Sequence, residues 1–307
     1  MNKRASVAAD TAQRLVKPDP GSPVFKVTGS SAIVIKAGTI FAGHRFTDDT
    51  PVSLHLNEKG EPGYIAGADY EVHVRDGEVS IARTTIIPHG DILLGGFHFA
   101  PGGNATARSG GDTVPAINPC SLWDINFRPA CPDPRGMALV DVPGRTFWAD
   151  IYLLGVNHVG DGTSKFGVLI ADGDDPPLKP AGGTFKKLDY DTAVAVMKHH
   201  RKGLLGPEEF FAAAYGVTEK SSCRDDPKVT GLDAPRTSKF GLMQATGNLW
   251  AWGHDGDPYM PRASMFGGSW YSGGYAGSRC AYVACNWPDN SGGHIGARGR
   301  GDHLQLA

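Results

Sequence analysis

Between Val24 and Ala100, apolar and polar residues alternate in short runs cut by turn residues. Val24-Phe-Lys-Val-Thr, Ser31-Ala-Ile-Val-Ile, Pro51-Val-Ser-Leu-His-Leu, Tyr70-Glu-Val-His-Val and Val79-Ser-Ile-Ala are predicted strands, because a period of two puts successive side chains on opposite faces of a sheet. Within the fourth run Tyr70, Val72 and Val74 form the predicted buried face, and Glu71, His73 and Arg75 the wet one. Arg75-Asp-Gly-Glu78 is a hairpin turn, since Asp-Gly tolerates the positive φ angles such a turn demands. Together these predict a small antiparallel β-sandwich-like domain over residues 25–105, after a short N-terminal segment, residues 1–24. Residues 101–119 lose both periodicity and apolar content and read as a linker carrying the domain boundary.

The pattern then changes. An aromatic cluster from Leu122 to Phe127 opens the second region, and the dense run Phe147–Leu154 suits a buried strand. Two helices are predicted: one opening on Asp191 as N-cap and closing on the basic residues up to Arg201, the other opening on Pro207 and ending at Gly216. Thr218–Ser238 turns polar and is predicted to be a long surface loop. From Phe240 onward the chain is dense in Gly, Trp and Tyr. Helices followed by irregular loops over two small sheets outline a C-type-lectin-like domain over residues 106–307. The fold class expected for the whole chain is therefore α+β, and no internal repeat is visible.

Composition narrows the function. Thirty Lys and Arg against 32 Asp and Glu leave a net charge of −2, so no global field gathers nucleic acid or anionic lipid, and a partner has to be recognised locally. With 42 Gly and 22 Pro, about a fifth of the chain, many tight turns are implied. No apolar run approaches the roughly 20 residues that cross a bilayer, and Met1–Pro23 lacks the apolar centre of a signal peptide, so assembly in the cytoplasm without export is expected. Five cysteines, an odd number, suggest reduced thiols.

Candidate chemistry is sparse. His199-His200 and the acidic clusters Asp172-Gly-Asp174-Asp175 and His254-Asp-Gly-Asp257 carry metal-ligating types. Adjacent histidines, however, point to different helix faces, and neither acidic run has the twelve-residue loop of a calcium-binding hand. A helix end and acidic turns are the simpler readings. No Gly-x-Ser-x-Gly elbow or phosphate-binding Gly-Lys-Ser/Thr loop occurs. The expectation is a non-enzymatic protein with no cofactor and no metal.

The C-terminal stretch differs. Phe266-Gly-Gly-Ser-Trp-Tyr-Ser-Gly-Gly-Tyr-Ala-Gly-Ser-Arg279 and Asn286-Trp-Pro-Asp-Asn-Ser-Gly-Gly-His-Ile-Gly-Ala-Arg298 mix Tyr, Ser and Gly as antibody loops do, where Tyr supplies rigid contact area and Ser and Gly adaptability. Core packing of Tyr271, Tyr275 and Tyr282 is the alternative. These segments, with Gly95–Asn104, Ser121–Ala130, Asp133–Met137, Phe147–His158, Asp161–Lys165 and Gly247–Gly253, resemble the variable proteins of diversity-generating retroelements, most closely the phage major tropism determinants, over about residues 30–307.

The resemblance implies a phage receptor-binding protein at the tail-fibre tip of a virion, a homotrimer that meets a bacterial surface protein or other surface receptor. In that family a reverse transcriptase copies a template repeat with errors at adenines, which diversifies a region expected here at about 266–298. Matched position by position, the variable, ligand-binding residues implied are Ser269, Tyr271, Ser272, Gly274, Tyr275, Tyr282, Ala284, Cys285, Asp289, Asn290, Gly292, Gly293 and His294, with Trp270, Arg279, Trp287, Ala297 and Arg298 as framework. The chain departs from the family in offering only a short segment ahead of Phe25, where an N-terminal β-prism would stand. Formylglycine-generating enzymes, which share the fold type and the Gly-Gly-Ser-aromatic segment, are a rival; their active thiols would correspond only to a displaced Cys280 and Cys285. A surface-displayed variable binding protein is the third reading.

Overall fold

The computed structural model describes residues 15–54, 63–83, 91–104, 110–285 and 287–305. The end of the predicted Pro51–Leu56 strand, residues 105–109 of the predicted linker, and Asn286 lie outside them. The chain divides into two compact units: the described parts of Met1–Phe99, Pro115–Arg128 and Leu304–Ala307 form the first, and those of Ala100–Val114 and Pro129–His303 the second.

The first unit is built of short strands: β1 (Phe25–Gly29), β2 (Ala32–Ile35), β3 (Ile40–Phe41), β4 (His44–Arg45), β5 (Thr50–Pro51), β6 (Ser53–Leu54), β7 (Ala68–Arg75), β8 (Glu78–Arg83), β9 (Ile92–Ala100), β10 (Ala116–Ile117) and β11 (Trp123–Asp124). They form a three-stranded sheet β1-β2-β5, a six-stranded sheet in which β10-β9-β7-β8-β6 run in order with β11 also on β9, and the β3-β4 pair. The β7–β8 hairpin turns where expected, with Asp76 at φ +50° and Gly77 at +85°, the two positive φ angles that match the twist of the flanking strands. Tyr70, Val72 and Val74 join Phe25, Ile33, Ile35, Ile81, Leu94 and Phe97 in one apolar core. His73, expected on the wet face, is only 2% exposed. Alternation marks the two faces of a strand but not what covers the second one, and here its Nε2 lies 3.5 Å from Glu71 Oε2.

The Leu122–Phe127 cluster, expected to open the second region, lies in the first unit. Trp123 and Asp124 pair antiparallel with Gly96 and Gly95 of β9, and Leu122 packs in the first unit's core. Lys17 Nζ approaches Asp124 Oδ2 at 3.1 Å, and Val24 N–H donates to the same oxygen at 2.9 Å.

The second unit contains β12 (Met137–Val142), β13 (Arg145–Asp150), α1 (His158–Asp161), α2 (Tyr190–His199), α3 (Pro207–Ala213), β14 (Trp250–His254), β15 (Ala263–Phe266), β16 (Ala281–Tyr282), β17 (Ile295–Ala297) and β18 (Arg300–Asp302). One sheet runs β12-β13-β18 and the other β16-β15-β14-β17, with β14 antiparallel to β15 and parallel to β17. Leu154, Leu188, Val196, Met197, Trp252, Met265 and Ile295 fill the core beneath the second sheet. The predicted Phe147–Leu154 strand ends at Asp150, although the buried run continues to Leu154. Helix α2 is capped by Asp189, whose Oδ1 accepts the Thr192 N–H at 2.9 Å, and not by Asp191. Both acids precede the apolar period, and only Asp189 stands three residues before an unsatisfied N–H. Within the predicted surface loop Thr218–Ser238, Thr230 and Thr237 are buried, and donation of their hydroxyls to Lys165 O (2.6 Å) and Asp233 O (2.8 Å) offsets the cost.

Candidate binding surface

The segment from Phe266 to Arg298 is fastened at both ends. At its far end Arg298 is almost fully buried, with Nη1 donating to Asp150 O (2.6 Å) and Ile151 O (2.7 Å) and Nη2 to Met243 O (2.5 Å) and Gln244 O (3.3 Å). Burial pulls the guanidinium down to about 10, against the pull of Asp150, so it stays charged at neutral pH. Asp150 is held in turn by Lys202 Nζ at 2.6 Å and Gly299 N–H at 3.0 Å. At the near end Gly267 N–H donates to Cys280 O (2.8 Å) and Trp270 N–H to Asn248 O (2.8 Å).

Between these anchors aromatic rings face solvent. Tyr271 and Tyr282 are 55% and 51% exposed, which decides against their packing in the core. Tyr282 lies over the buried Trp250 of β14, ring centroids 5.0 Å apart, with Trp287 at 6.3 Å. Tyr271 meets Trp270 edge-on at 5.2 Å and His294 at 5.0 Å. Burial lowers the His294 pKa, while Asp174, Asp172 and Asp226 pull it back up. Asp289 and Asn290 are exposed at the rim, where Lys187 Nζ reaches Asp289 O at 3.4 Å and Ser291 Oγ accepts the Leu188 N–H at 3.0 Å. Rings supported from below, each with one face open, give contact area that loses little freedom on binding.

Other predicted positions are placed differently. Ser269 has no exposed surface: its N–H donates to Ser272 Oγ (2.9 Å) while its carbonyl accepts the Ser272 N–H (2.9 Å), so it closes a turn and offers nothing to a ligand. Ser272 is half-buried by the same turn. Tyr275, 87% exposed, makes none of the ring contacts above and lines a separate groove with Gly274. Ala284 holds a positive φ of 51°, and Cys285 packs partly buried against the core. Gly292 and Gly293 are half-buried, Gly292 O accepting the Gly173 N–H at 3.1 Å. Among the expected framework residues Ala297 and Arg298 are buried, Trp270 is half-buried, and Arg279 and Trp287 are exposed. Trp250 lies in the Gly247–Gly253 segment that carries the resemblance, but its place as the floor of the surface depends on pairing with β17, some 45 residues away, which no local pattern announces.

The acidic runs build turns: Asp172 Oδ1 accepts the N–H groups of Asp174 (2.7 Å) and Asp175 (2.8 Å), and Asp257 Oδ1 those of Tyr259 (2.8 Å) and Met260 (3.0 Å). His200 meets His158, which no local spacing links to it, with Nε2 at 2.9 Å from His158 Nδ1, while His158 Nε2 lies 2.6 Å from Leu178 O. Among the described residues no group of three or more His, Cys, Asp or Glu could hold a metal ion. The Cys280 thiol is pushed up by burial and then by Glu219, away from the thiolate that an oxidative active site needs.

A strand-built unit and an α+β unit, the latter carrying solvent-facing aromatic rings on a firmly anchored segment, define a protein built for surface recognition. Comparison with known proteins gives the family. A family model for the Mtd second domain matches residues 23–124. The tail fiber receptor-binding protein of Bordetella phage BPP-1 is 41% identical over an alignment of 334 residues that covers 95% of this chain and 85% of the relative. Among solved structures, the major tropism determinant I1 variant superposes with a TM-score of 0.87 at 40% identity over 97% of this chain and 88% of that one, and the M1 variant with 0.87 at 39% over 98% and 88%. The chain belongs to the phage major tropism determinant family.

Proposed function

We propose that this chain is a receptor-binding protein of a phage tail fibre, carried on the virion, which recognises a bacterial surface receptor through a retroelement-diversified face of a C-type-lectin-like domain at about residues 266–298. The observation that carries the reading is the pair of supported, open rings, Tyr271 against His294 and Tyr282 over Trp250, on a segment pinned by buried Arg298. A surface meant to change needs this separation of duties: contact side chains project from a backbone whose hydrogen bonds are closed elsewhere, so replacement costs little stability. The tail-fiber, receptor-binding description of the Bordetella phage relative supports the same reading. Tyr271, Tyr282, Asp289, Asn290 and His294 form the proposed contact, with Gly292 and Gly293 beneath it; Ser272, Ala284 and Cys285 sit at its margins. A homotrimer would present three such faces, and linked weak sites gain avidity without new contacts.

Alanine at Tyr271, Tyr282 or His294 is expected to weaken binding to receptor-bearing cells about five-fold or more, close to 1 kcal/mol, with the unfolding midpoint unchanged. Loss of stability with binding intact would return these rings to a packing role. Sequencing the flanking DNA tests the diversification: a near-copy of the segment encoding Phe266–Arg298 that differs only at adenines, beside a reverse transcriptase gene, is the expected finding.

A further inference from the structure

Next to the proposed face runs a groove of about 1030 Å³ between α3 and the 274–280 segment. That is the upper end of the range for small-ligand clefts, about 300–1,000 Å³. Tyr215 and Tyr275, 60% and 87% exposed, present rings along it. Its lining carries three cations, Lys220, Lys239 and Arg279. None of them has an ion-pair partner among the described residues, although the chain as a whole is negative. Lys239 Nζ sits 4.9 Å from the Tyr215 ring centroid, a cation laid on an aromatic face. The one acid in the lining, Glu219, is turned to structural use: its carboxylate accepts the Ser278 N–H at 3.1 Å and the Ser278 hydroxyl at 2.5 Å. Lys220 beside it holds φ at +54°, a conformation a lysine adopts at a cost and keeps only where its surroundings fix it. The N–H groups of Tyr275, Ala276, Gly277, Ser278 and Cys280 are all engaged inside the unit, so this wall offers no strand edge to an extended peptide.

We propose that this groove is a second binding site, for an acidic polysaccharide carrying carboxylate or phosphate groups. Cations without ion-pair partners meet the anionic groups, Arg279 with a fork that matches either oxyanion, and Tyr275 and the face of Tyr215 that Lys239 leaves open receive the sugar rings. The bacterial surface as the polymer's source rests on the receptor-binding reading, whereas the chemistry of the groove does not.

Calorimetric titration of the full chain with a galacturonate hexamer, a glycerol-phosphate oligomer and maltohexaose tests it. At least one acidic oligomer is expected to bind saturably, ten-fold or more tighter than maltohexaose and more weakly at high salt. The paired substitution Lys220→Gln and Arg279→Gln, both at exposed positions, should weaken that binding ten-fold or more without moving the melting temperature. Acidic oligomers no better than maltohexaose, unchanged binding by the double variant, or hydroxyl-radical footprinting that finds Tyr215 and Tyr275 covered by a second copy would each overturn it. Tyr271→Ala with Tyr282→Ala separates the two readings. Cell binding that survives this pair defeats the receptor face and leaves the groove standing, whereas lost oligomer binding in the pair overturns the separate groove.

Discussion

At the residue scale, Arg298 shows how one buried charge holds a surface in place. Its four carbonyl partners come from Asp150–Ile151 and Met243–Gln244, far apart in the chain, and no neighbouring side chain replaces them. Arg298→Met keeps the volume and removes the guanidinium donors from those carbonyls, of which Ile151 O keeps the Met243 N–H at 2.8 Å, so a loss of about 3 kcal/mol is expected in chemical denaturation. The His158–His200 pair makes a second prediction. Leu178 O can only accept, so His158 Nε2 carries a proton and His200 Nε2–H donates to His158 Nδ1, a network satisfied when both rings are neutral. Burial, with repulsion from His158, Lys202 and His199, lowers the His200 pKa to about 4 from an ordinary 6.5. Below its unfolded value the unfolded chain binds the proton and the folded chain does not. The stabilisation is therefore complete above pH 6.5 and lost as pH falls toward about 4. The melting temperature should drop over that interval, and His200→Gln should flatten the drop; an unchanged slope would remove the pair from the acid response.

At the scale of elements, caps and anchors decide which segments stay put. Asp189→Ala removes the α2 cap and is expected to cost about 1 kcal/mol, read by thermal unfolding, while Asp191→Ala, which removes only a favourable first-turn charge, should cost less. The 274–280 segment depends on Gly277: a Cβ there would overlap Glu219 Oε2 and break the carboxylate's grip on Ser278. Glu219 is exposed and its carboxylate can swing aside, so Gly277→Ala should cost about 1 kcal/mol or less while raising amide exchange at Ser278. Both features are half-legible in sequence. Acids before an apolar period announce a helix start, but the hydrogen bond chooses between them; a Gly-Ser pair announces a turn, but its partner lies 59 residues away.

For the whole molecule, the route of the chain between its two units has a direct consequence. β9 belongs to the first unit; β7 pairs with it on one side, but its other partners, β10 and β11, come from beyond residue 115, so a cut at residue 105 removes partners that a cut after Arg128 retains. Fragments ending at Arg128 are expected to be folded and soluble by size-exclusion chromatography, and those ending at residue 105 to aggregate through the exposed edge of β9. The proposed trimer is checked by light scattering, as a mass three times the chain's 32.5 kDa. A monomer mass would leave avidity to the fibre alone. No helix among the described residues is long and apolar enough to cross a membrane.

Local physics was open to sequence reasoning. The β7–β8 hairpin follows from alternation and Asp76-Gly77, the start of α3 from Pro207, and the solvent-facing segment from its mixture of Tyr, Ser and Gly, each depending on neighbours within a few residues. Tertiary structure decided burial. His73 is covered, Ser269 is closed into a turn, Arg279 faces solvent, and Trp250 becomes the floor under Tyr282. Periodicity fixes the direction in which a side chain leaves its own backbone, whereas exposure depends on which distant segment arrives to cover it, and that is settled only when the whole chain packs.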